Sequence, residues 1–229
     1  SQENAMRLLL IVAILLVSTM ASAKTLTVGP GEPHQRIEDA YARAGAGDTI
    51  LVRPLPDDRP YEQVALYADK PAITIRGVLG PNGRRVKLSG KGFSYSGRGR
   101  VPRAMFQFNP GADGSTLENF ELSGAANDSH NGAGVRINQA NNITIRNCDI
   151  HHNHMGIMSN GHLPDGGMNQ VIEFCIIHEN GDFDQPGYNH NLYLGGTSVT
   201  LRGCEVYGSL TGHNVKSRAH FNWIEYCCI

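Results

Sequence analysis

The sequence predicts an all-β chain that folds as a parallel β-helix, a solenoid of stacked coils. Three observations predict it: a motif that recurs along the chain, repeats made of short β-prone runs, and 27 Gly among 229 residues. The chain is 40% hydrophobic and only 18% charged, which excludes a coiled coil, a disordered charged chain and a polytopic membrane protein. Its formal net charge of -1 gives no reason to expect a nucleic-acid partner. The length fits one domain or one elongated repeat array.

The beginning of the chain has the pattern of a secretory signal peptide. Met6 and Arg7 precede the apolar run Leu8–Val17, and small residues follow up to Ala23. A run this short does not cross a bilayer as a helix, so we expect cleavage after Ala23 and no transmembrane segment in the mature chain. An uncleaved anchor is the alternative. The predicted organisation is a tag remnant and signal peptide over 1–23, then a solenoid over 24–229 of a secreted or periplasmic protein.

A strand, a short helix and a second strand are predicted next. Thr25–Val28 is β-prone, and apolar residues from Ile37 to Ala44 recur at helical spacing before Gly45 and Gly47 end the helix. Asp48–Val52 is predicted to be the following strand. A short helix at this place would act as an N-terminal cap over the open end of the solenoid core.

One stretch of the chain is strongly basic. No Asp or Glu occurs from Lys70 to Ala112. The basic residues in it are Lys70, Arg76, Arg84, Arg85, Lys87, Lys91, Arg98, Arg100 and Arg103. A basic face on an exported protein favours a polyanionic partner, and a solvated Arg-rich loop is the alternative.

The recurring motif is aliphatic-x-x-Cys-x-aliphatic, with Phe120 in place of Cys in its first copy. The copies open at Leu117, Ile145, Ile172, Leu201 and Ile224, which are 28, 27, 29 and 23 residues apart. Periods of this size are typical of solenoids, and the repeats show no helical periodicity. The last copy ends at Ile229 with no capping element after it. We therefore expect a chain truncated at its C-terminus, or one whose open end another chain covers.

A second column of strands runs through the same coils. Strand alternation is expected to point one set inward, namely Val135, Ile157, Leu192 and Val215. It points a second set outward, namely Arg136, Met158, Tyr193 and Lys216. The longer segments 158–170 and 179–191 are expected to form loops at the rim of that outer face.

The segment Gly47–Val52, followed by Pro54, resembles the opening of pectin-lyase-like right-handed β-helix proteins. The stacked Ile/Cys/Asn coils resemble the same superfamily, over about residues 24–229. The resemblance implies a right-handed parallel β-helix. It implies no single activity, because the superfamily includes polysaccharide lyases, uronan C5-epimerases, hydrolases, esterases and non-catalytic adhesins.

Cysteine and asparagine are expected to form ladders inside the coils. The motif cysteines Cys148, Cys175, Cys204 and Cys227 should stack inward as thiols rather than as disulfides or a four-Cys metal site. Cys228 should face outward. Asn153 and Asn180 follow the Cys strands at equal offsets and should hydrogen-bond along the ladder.

Two clusters resemble metal sites, although the sequence assigns no certain cofactor. The first is a possible transition-metal set of His151, His152, His154 and His178. The alternative is that the rings of His151, His178 and Tyr207 stack. The second is a weak calcium set in the rim loops: Asp165, Asp182 and Asp184.

The strongest functional signal is a repeated tetrad, His190-Asn191-Leu192-Tyr193 and His213-Asn214-Val215-Lys216, with Arg218 two residues further on. The candidate catalytic residues are Tyr193, Lys216, Arg218, His190 and His213. The candidate substrate-binding residues are Asn191, Asn214 and Arg136. Cations can neutralise a uronate carboxylate and so acidify the C5 proton, while Tyr, Lys or His exchanges protons.

The sequence therefore predicts an exported carbohydrate-active protein whose partner is an acidic, uronate-containing polysaccharide. The expected reaction is β-elimination or C5 epimerisation. The alternative is a non-catalytic exported carbohydrate-binding or surface protein that uses the same face. A hydrolase is less favoured, because it needs two carboxylates in one cleft and the candidate strands carry none.

Overall fold

The computed structural model describes residues 22–161 and 166–229. Within these ranges the chain is mostly β, with twenty strands and one α-helix, α1 (Ile37–Arg43). The predicted signal peptide falls almost entirely outside the described residues, and so does the calcium candidate Asp165. None of the described helices is long and apolar enough to cross a membrane.

The strands form three parallel sheets. Sheet A contains β1 (Thr25–Val28), β2 (Thr49–Val52), β5 (Thr74–Gly77), β8 (Thr116–Glu118), β11 (Thr144–Arg146), β14 (Gln170–Glu173), β17 (Ser198–Arg202) and β20 (Phe221–Glu225). Sheet B contains β3 (Tyr61–Glu62), β6 (Val86–Ser89), β9 (Phe120–Ser123), β12 (Asp149–His151), β15 (Ile176–His178) and β18 (Glu205–Tyr207). Sheet C contains β4 (Leu66–Ala68), β7 (Ala104–Phe108), β10 (Ala133–Asn138), β13 (Met155–Asn160), β16 (Leu192–Leu194) and β19 (Val215–Ser217).

From β2 onward the chain visits sheets A, B and C in turn, and each circuit stacks on the one before. The sequence motif sets the register, because Ile145 pairs with Ile172 and Leu201 pairs with Ile224. These aliphatic residues face a continuous core, and Ile145, Ile172 and Leu201 are fully buried in it. Repeated, stacked, parallel strands of this kind agree with the all-β class and are compatible with the predicted parallel β-helix.

Helix α1 packs against β1 and β2 through its apolar side, with Ile37 and Ala40 buried. Its C-terminal end is held by Lys70, whose Nζ donates to the carbonyl oxygens of Tyr41, Ala42 and Ala44 at 2.7, 2.9 and 2.8 Å. A cation there satisfies carbonyl groups that have no helical partner and complements the helix dipole.

The cysteine ladder is confirmed. Cys148, Cys175 and Cys204 are buried free thiols, Cys227 is half-buried and Cys228 is exposed. The backbone N–H of Cys148 lies 3.5 Å from the Sγ atom of Cys175, and burial raises the pKa of that thiol. The thiols therefore act as small apolar side chains, and their ionisation is disfavoured.

The outer face of sheet A carries a row of alternating charges, here called the charge ladder: Arg76, Glu118, Arg146, Glu173, Arg202 and Glu225. Arg146 Nε lies 2.6 Å from Glu173 Oε1, and Arg202 Nε lies 2.6 Å from Glu225 Oε1. Each inner carboxylate contacts a guanidinium on both sides, because the parallel register brings successive motif positions together. Charge is therefore neutralised within this face.

At the far edge of sheet A, β20 leaves Phe221, Trp223 and Ile224 exposed. Trp223 pairs in register with Thr200, and Ile224 continues the inward column of Leu201. The expectation that a further segment or chain covers this end stays a prediction.

Candidate anion-binding site on sheet C

The outer face of sheet C carries one central row of side chains: Tyr67, Gln107, Arg136, Met158, Tyr193 and Lys216. Parallel pairing aligns one residue from each successive strand. The repeated tetrad predicted this alignment for Tyr193 and Lys216, the last two residues of the row. The inward neighbours Val135, Ile157 and Leu192 are fully buried, so strand alternation holds along this part of the face.

Tyr193, Lys216 and Arg218 lie side by side and are here called the Tyr–cation cluster. Lys216 Nζ is 5.1 Å, and Arg218 Cζ 5.6 Å, from the centre of the Tyr193 ring. Arg218 follows β19 and is held by its backbone N–H, which donates to the Leu194 carbonyl oxygen at 2.7 Å. Both cations are within the range of a cation–π contact, so the ring orients them while Arg218 stays exposed.

No carboxylate neutralises this cluster in the described part of the chain. Neither Lys216 nor Arg218 has an Asp or Glu oxygen within 4.0 Å there, and the same holds for Arg136. The Arg136 guanidinium instead contacts Met158 Sδ at 3.0 Å. Burial, and the positive charge of Arg103, lower the pKa of Arg136. The face therefore carries positive charge that an external anion would neutralise.

His190 differs from the expectation that it stands at the exposed edge of the patch, because it is buried. Its Nδ1 accepts the backbone N–H of His213 at 3.0 Å, and its ring centre lies 5.5 Å from that of Tyr193. Burial, together with the charge of Lys216, lowers the pKa of His190 to about 4. With Nδ1 engaged, this neutral ring positions its neighbours and does not take a proton from a substrate. His213 itself is exposed.

Asn191 is fully buried, so the expectation that it lies on the exposed face is wrong, and Asn214 is half-buried and hydrogen-bonded to it. Asn191 Oδ1 accepts from Asn180 Nδ2 at 2.9 Å, and Asn191 Nδ2 donates to Asn214 Oδ1 at 3.1 Å. These two residues extend the predicted ladder of Asn153 and Asn180, in which Asn153 Nδ2 donates to Asn180 Oδ1 at 3.1 Å.

The physical reason is a local break in strand alternation. Asn191 directly precedes Leu192, which pairs with Ile157, and a Cβ at Gly156 would lie 2.9 Å from Asn180 Nδ2. Gly156 and Ile157 thus both face inward, and so do Asn191 and Leu192. A fully buried Asn in a hydrogen-bonded ladder has no group left to offer a substrate.

A row of amides beside the central row was missed by the sequence reasoning. Asn138 Nδ2 donates to Asn109 Oδ1 at 3.0 Å, and Gln107 Nε2 donates to the same oxygen at 2.8 Å. Asn160 follows in register with Asn138. The signal was present in the sequence, since Asn138 and Asn160 each stand two residues after a predicted outward position. Gln107 and Asn109 are buried, whereas Asn138 and Asn160 are half-buried, so the latter two can donate to and accept from sugar hydroxyls.

The possible transition-metal set is not assembled, and the alternative of ring stacking is confirmed. His151, His178 and Tyr207 stack instead, with successive ring centres 5.0 and 5.1 Å apart. His151 Nε2 lies 3.6 Å from Glu121 Oε1, and the nearby carboxylate raises the pKa of His151. His154 points away from this stack, towards Asp182.

Of the three calcium candidates, Asp182 and Asp184 lie within the described residues. Asp184 is exposed, and its backbone N–H donates to Asp182 Oδ1 at 3.0 Å. Asp182 lies beside His130 and His154. That combination of nitrogen and oxygen ligands does not suit calcium, which prefers an all-oxygen shell.

The basic stretch is partly neutralised, because, among the described residues, four of its nine basic residues form ion pairs with acids from other segments. Arg76 pairs with Glu118, and Arg100 Nη2 lies 2.7 Å from Asp69 Oδ2. Lys87 Nζ lies 2.6 Å from Asp58 Oδ2. These ion pairs neutralise part of the stretch, whereas Arg103 adds positive charge near Arg136 on sheet C.

Comparison of the chain with protein-family models, with curated proteins and with solved structures finds no match to any of them.

Proposed function

We propose that the chain is an exported, pectin-lyase-like right-handed parallel β-helix with α1 as its N-terminal cap. Its proposed activity is on uronate-containing polysaccharide, by β-elimination or C5 epimerisation. The observation that supports this best is the Tyr–cation cluster, in which two cations without a carboxylate partner in the described part of the chain contact one aromatic ring.

The chemistry follows from the charges. Lys216 and Arg218 bind the sugar carboxylate, and their positive charge stabilises the negative charge that develops when the C5 proton leaves. Tyr193 contacts both cations and exchanges that proton, and the exposed His213 is the second proton-exchanging side chain. In β-elimination the C5–H electrons form the C4–C5 double bond, and the C4–O bond breaks to release a protonated oxygen. In epimerisation a proton returns to C5 from the opposite face.

The second candidate is an exported module that binds the same polysaccharide without turnover. The engaged Nδ1 of His190 favours it, because this leaves one fewer group for proton exchange in the cluster.

A screen of uronic acid polymers tests the proposal. Polygalacturonate, alginate and glucuronan are incubated with the protein while absorbance of the unsaturated product and exchange of the C5 hydrogen with solvent are followed. A lyase gives absorbance, and an epimerase gives exchange at constant chain length.

The variants Lys216→Gln and Arg218→Gln should lower turnover by about 100-fold or more without loss of folding, because both groups act on the transition state. Arg43→Gln, at an exposed position on α1, is the matched control and should retain full activity. Binding without turnover that depends on Lys216 and Arg218 would establish the binding module. Absence of both binding and turnover across the polymers would refute the proposal.

A further inference from the structure

Three side chains from successive coils meet at the rim between sheets B and C. His130 follows β9, His154 follows β12 and Asp182 follows β15. One nitrogen of each His and one oxygen of the Asp all lie within 4.8 Å of one another. None belongs to the Tyr–cation cluster, and none is used in the proposed reaction.

The distances suit a small divalent ion. His154 Nε2 is 3.4 Å from Asp182 Oδ2, which is close to the separation of about 3.4 Å between two ligands of tetrahedral zinc. His130 Nδ1 is 2.5 Å from the same oxygen, so this pair must separate by somewhat under 1 Å to admit an ion. The side chain of His130 is 33% exposed, that of His154 is 19% exposed and that of Asp182 is 15% exposed. An ion can therefore enter from solvent.

Neighbouring residues hold the ligands in place. Asp182 Oδ1 accepts the backbone N–H of Asp184, which leaves Oδ2 free to act as a single ligand atom. Asn189 Nδ2 donates to the carbonyl oxygen of His130. Asn153, directly before His154, is fixed in the asparagine ladder. These contacts fix the backbone at His130 and beside His154, and they orient the Asp182 carboxylate.

The hydrogen bonds also define what must change when an ion binds. The backbone N–H of Asn127 points at His154 Nδ1 from 3.3 Å, so without an ion the hydrogen of that ring is on Nε2. Coordination through Nε2 moves this hydrogen to Nδ1 and opens the long contact to Asn127. His130 Nδ1 faces Asp182 Oδ2, so this atom must carry no hydrogen when it binds the ion.

We propose that His130 Nδ1, His154 Nε2 and Asp182 Oδ2 form a binding site for one divalent transition-metal ion of the zinc class. Two imidazoles and one carboxylate match the ligand preferences of such ions, and three protein ligands leave a fourth position open for water or a substrate oxygen. His154 also lines a cavity of about 370 Å³ together with Phe93, Ser94 and Asn127, which gives this position access to a ligand.

Titration of the untagged, chelator-treated chain with zinc tests the site. We expect one ion per chain, a raised melting temperature, and a change in the amide NMR signal of Asn127 as its contact opens. Asp182→Asn and His154→Gln should each weaken zinc affinity by about 100-fold or more, and circular dichroism confirms that the variants are folded. Calcium at the same concentration should have no effect.

His152→Gln is the matched control, because His152 is two residues from His154, is exposed, and contacts His151 instead. It should bind zinc like the parent chain. Loss of binding in His152→Gln with retention in Asp182→Asn would place the ion at the histidine stack and overturn the proposal. Absence of zinc binding by the parent chain, or preference for calcium, would also overturn it. Because the readout is binding of zinc alone, the result is independent of any activity on polysaccharide.

Discussion

The outer faces of sheets A and C are built on the same stacked register but differ in whether their charged side chains are paired with opposite charges. On sheet A, Glu173 lies between Arg146 and Arg202, so every inner charge of the ladder is neutralised by its neighbours. On sheet C, Lys216 and Arg218 contact a tyrosine ring and, among the described residues, no carboxylate. The difference separates charges that hold the coils together from charges that remain for a ligand.

The largest effect is expected from a carboxylate introduced on the outer face of sheet C, where it would pair with the cations of that face. Met158→Glu places one between Arg136 and Tyr193 in the central row, next to the guanidinium that Met158 Sδ already contacts at 3.0 Å. We expect polyanion binding and any turnover to fall by about 100-fold, since an internal anion competes for the cations. Stability should change little. Met158→Gln is the neutral control, and equal losses in both variants would contradict the charge argument.

A second test concerns the pH dependence of sheet C. Because the pKa of His190 is lowered to about 4 in the folded chain, the folded state disfavours its protonation. Its contribution to stability is complete above the unfolded pKa of about 6.5 and is lost as the pH falls towards 4. The free energy of unfolding should drop there by up to about 1.4 kcal/mol per pH unit.

Urea unfolding at several pH values measures this slope. His190→Gln should flatten it, whereas His220→Gln, at an exposed position, should leave it unchanged. A slope that survives in His190→Gln would assign it to other groups.

On sheet A, Glu173→Gln removes a buried carboxylate from two ion pairs and leaves Arg146 and Arg202 without it. We expect a loss of about 1–2 kcal/mol in the free energy of unfolding, because the guanidinium groups are half-exposed and only partly desolvated. Polysaccharide binding should not change. Glu62→Gln, at an exposed position on β3, is the control for urea unfolding and should be neutral. A loss of binding in Glu173→Gln would show that the two faces are not independent.

The smallest expected effect is the response to salt. Added sodium chloride should weaken polyanion binding a few-fold, because the cations of sheet C act on an external partner through solvent. The melting temperature should move little over the same range, since the ladder charges are in contact. The two are measured in parallel by binding titration and thermal unfolding. Binding that is insensitive to salt would argue against an electrostatic site.

The sequence predicted the features that repeat. The aliphatic columns, the cysteine ladder and the adjacency of Tyr193 and Lys216 all follow from one register. The charge ladder is also encoded in the sequence, because the residue after each motif start alternates between Glu and Arg. Asn191 was misplaced because alternation fails where its strand begins. The meeting of Asp182 with His130 depends on the path of rim loops, which the repeat does not encode.

The charge ladder has a consequence for how such a chain can change its length. Its signs alternate from one coil to the next, so the insertion or deletion of a single coil would bring two like charges face to face. Insertion or deletion of two coils restores the alternation. Along this side of the molecule the unit of duplication is therefore a pair of coils, and a lineage that gained or lost one coil would have to reverse every charge beyond the junction.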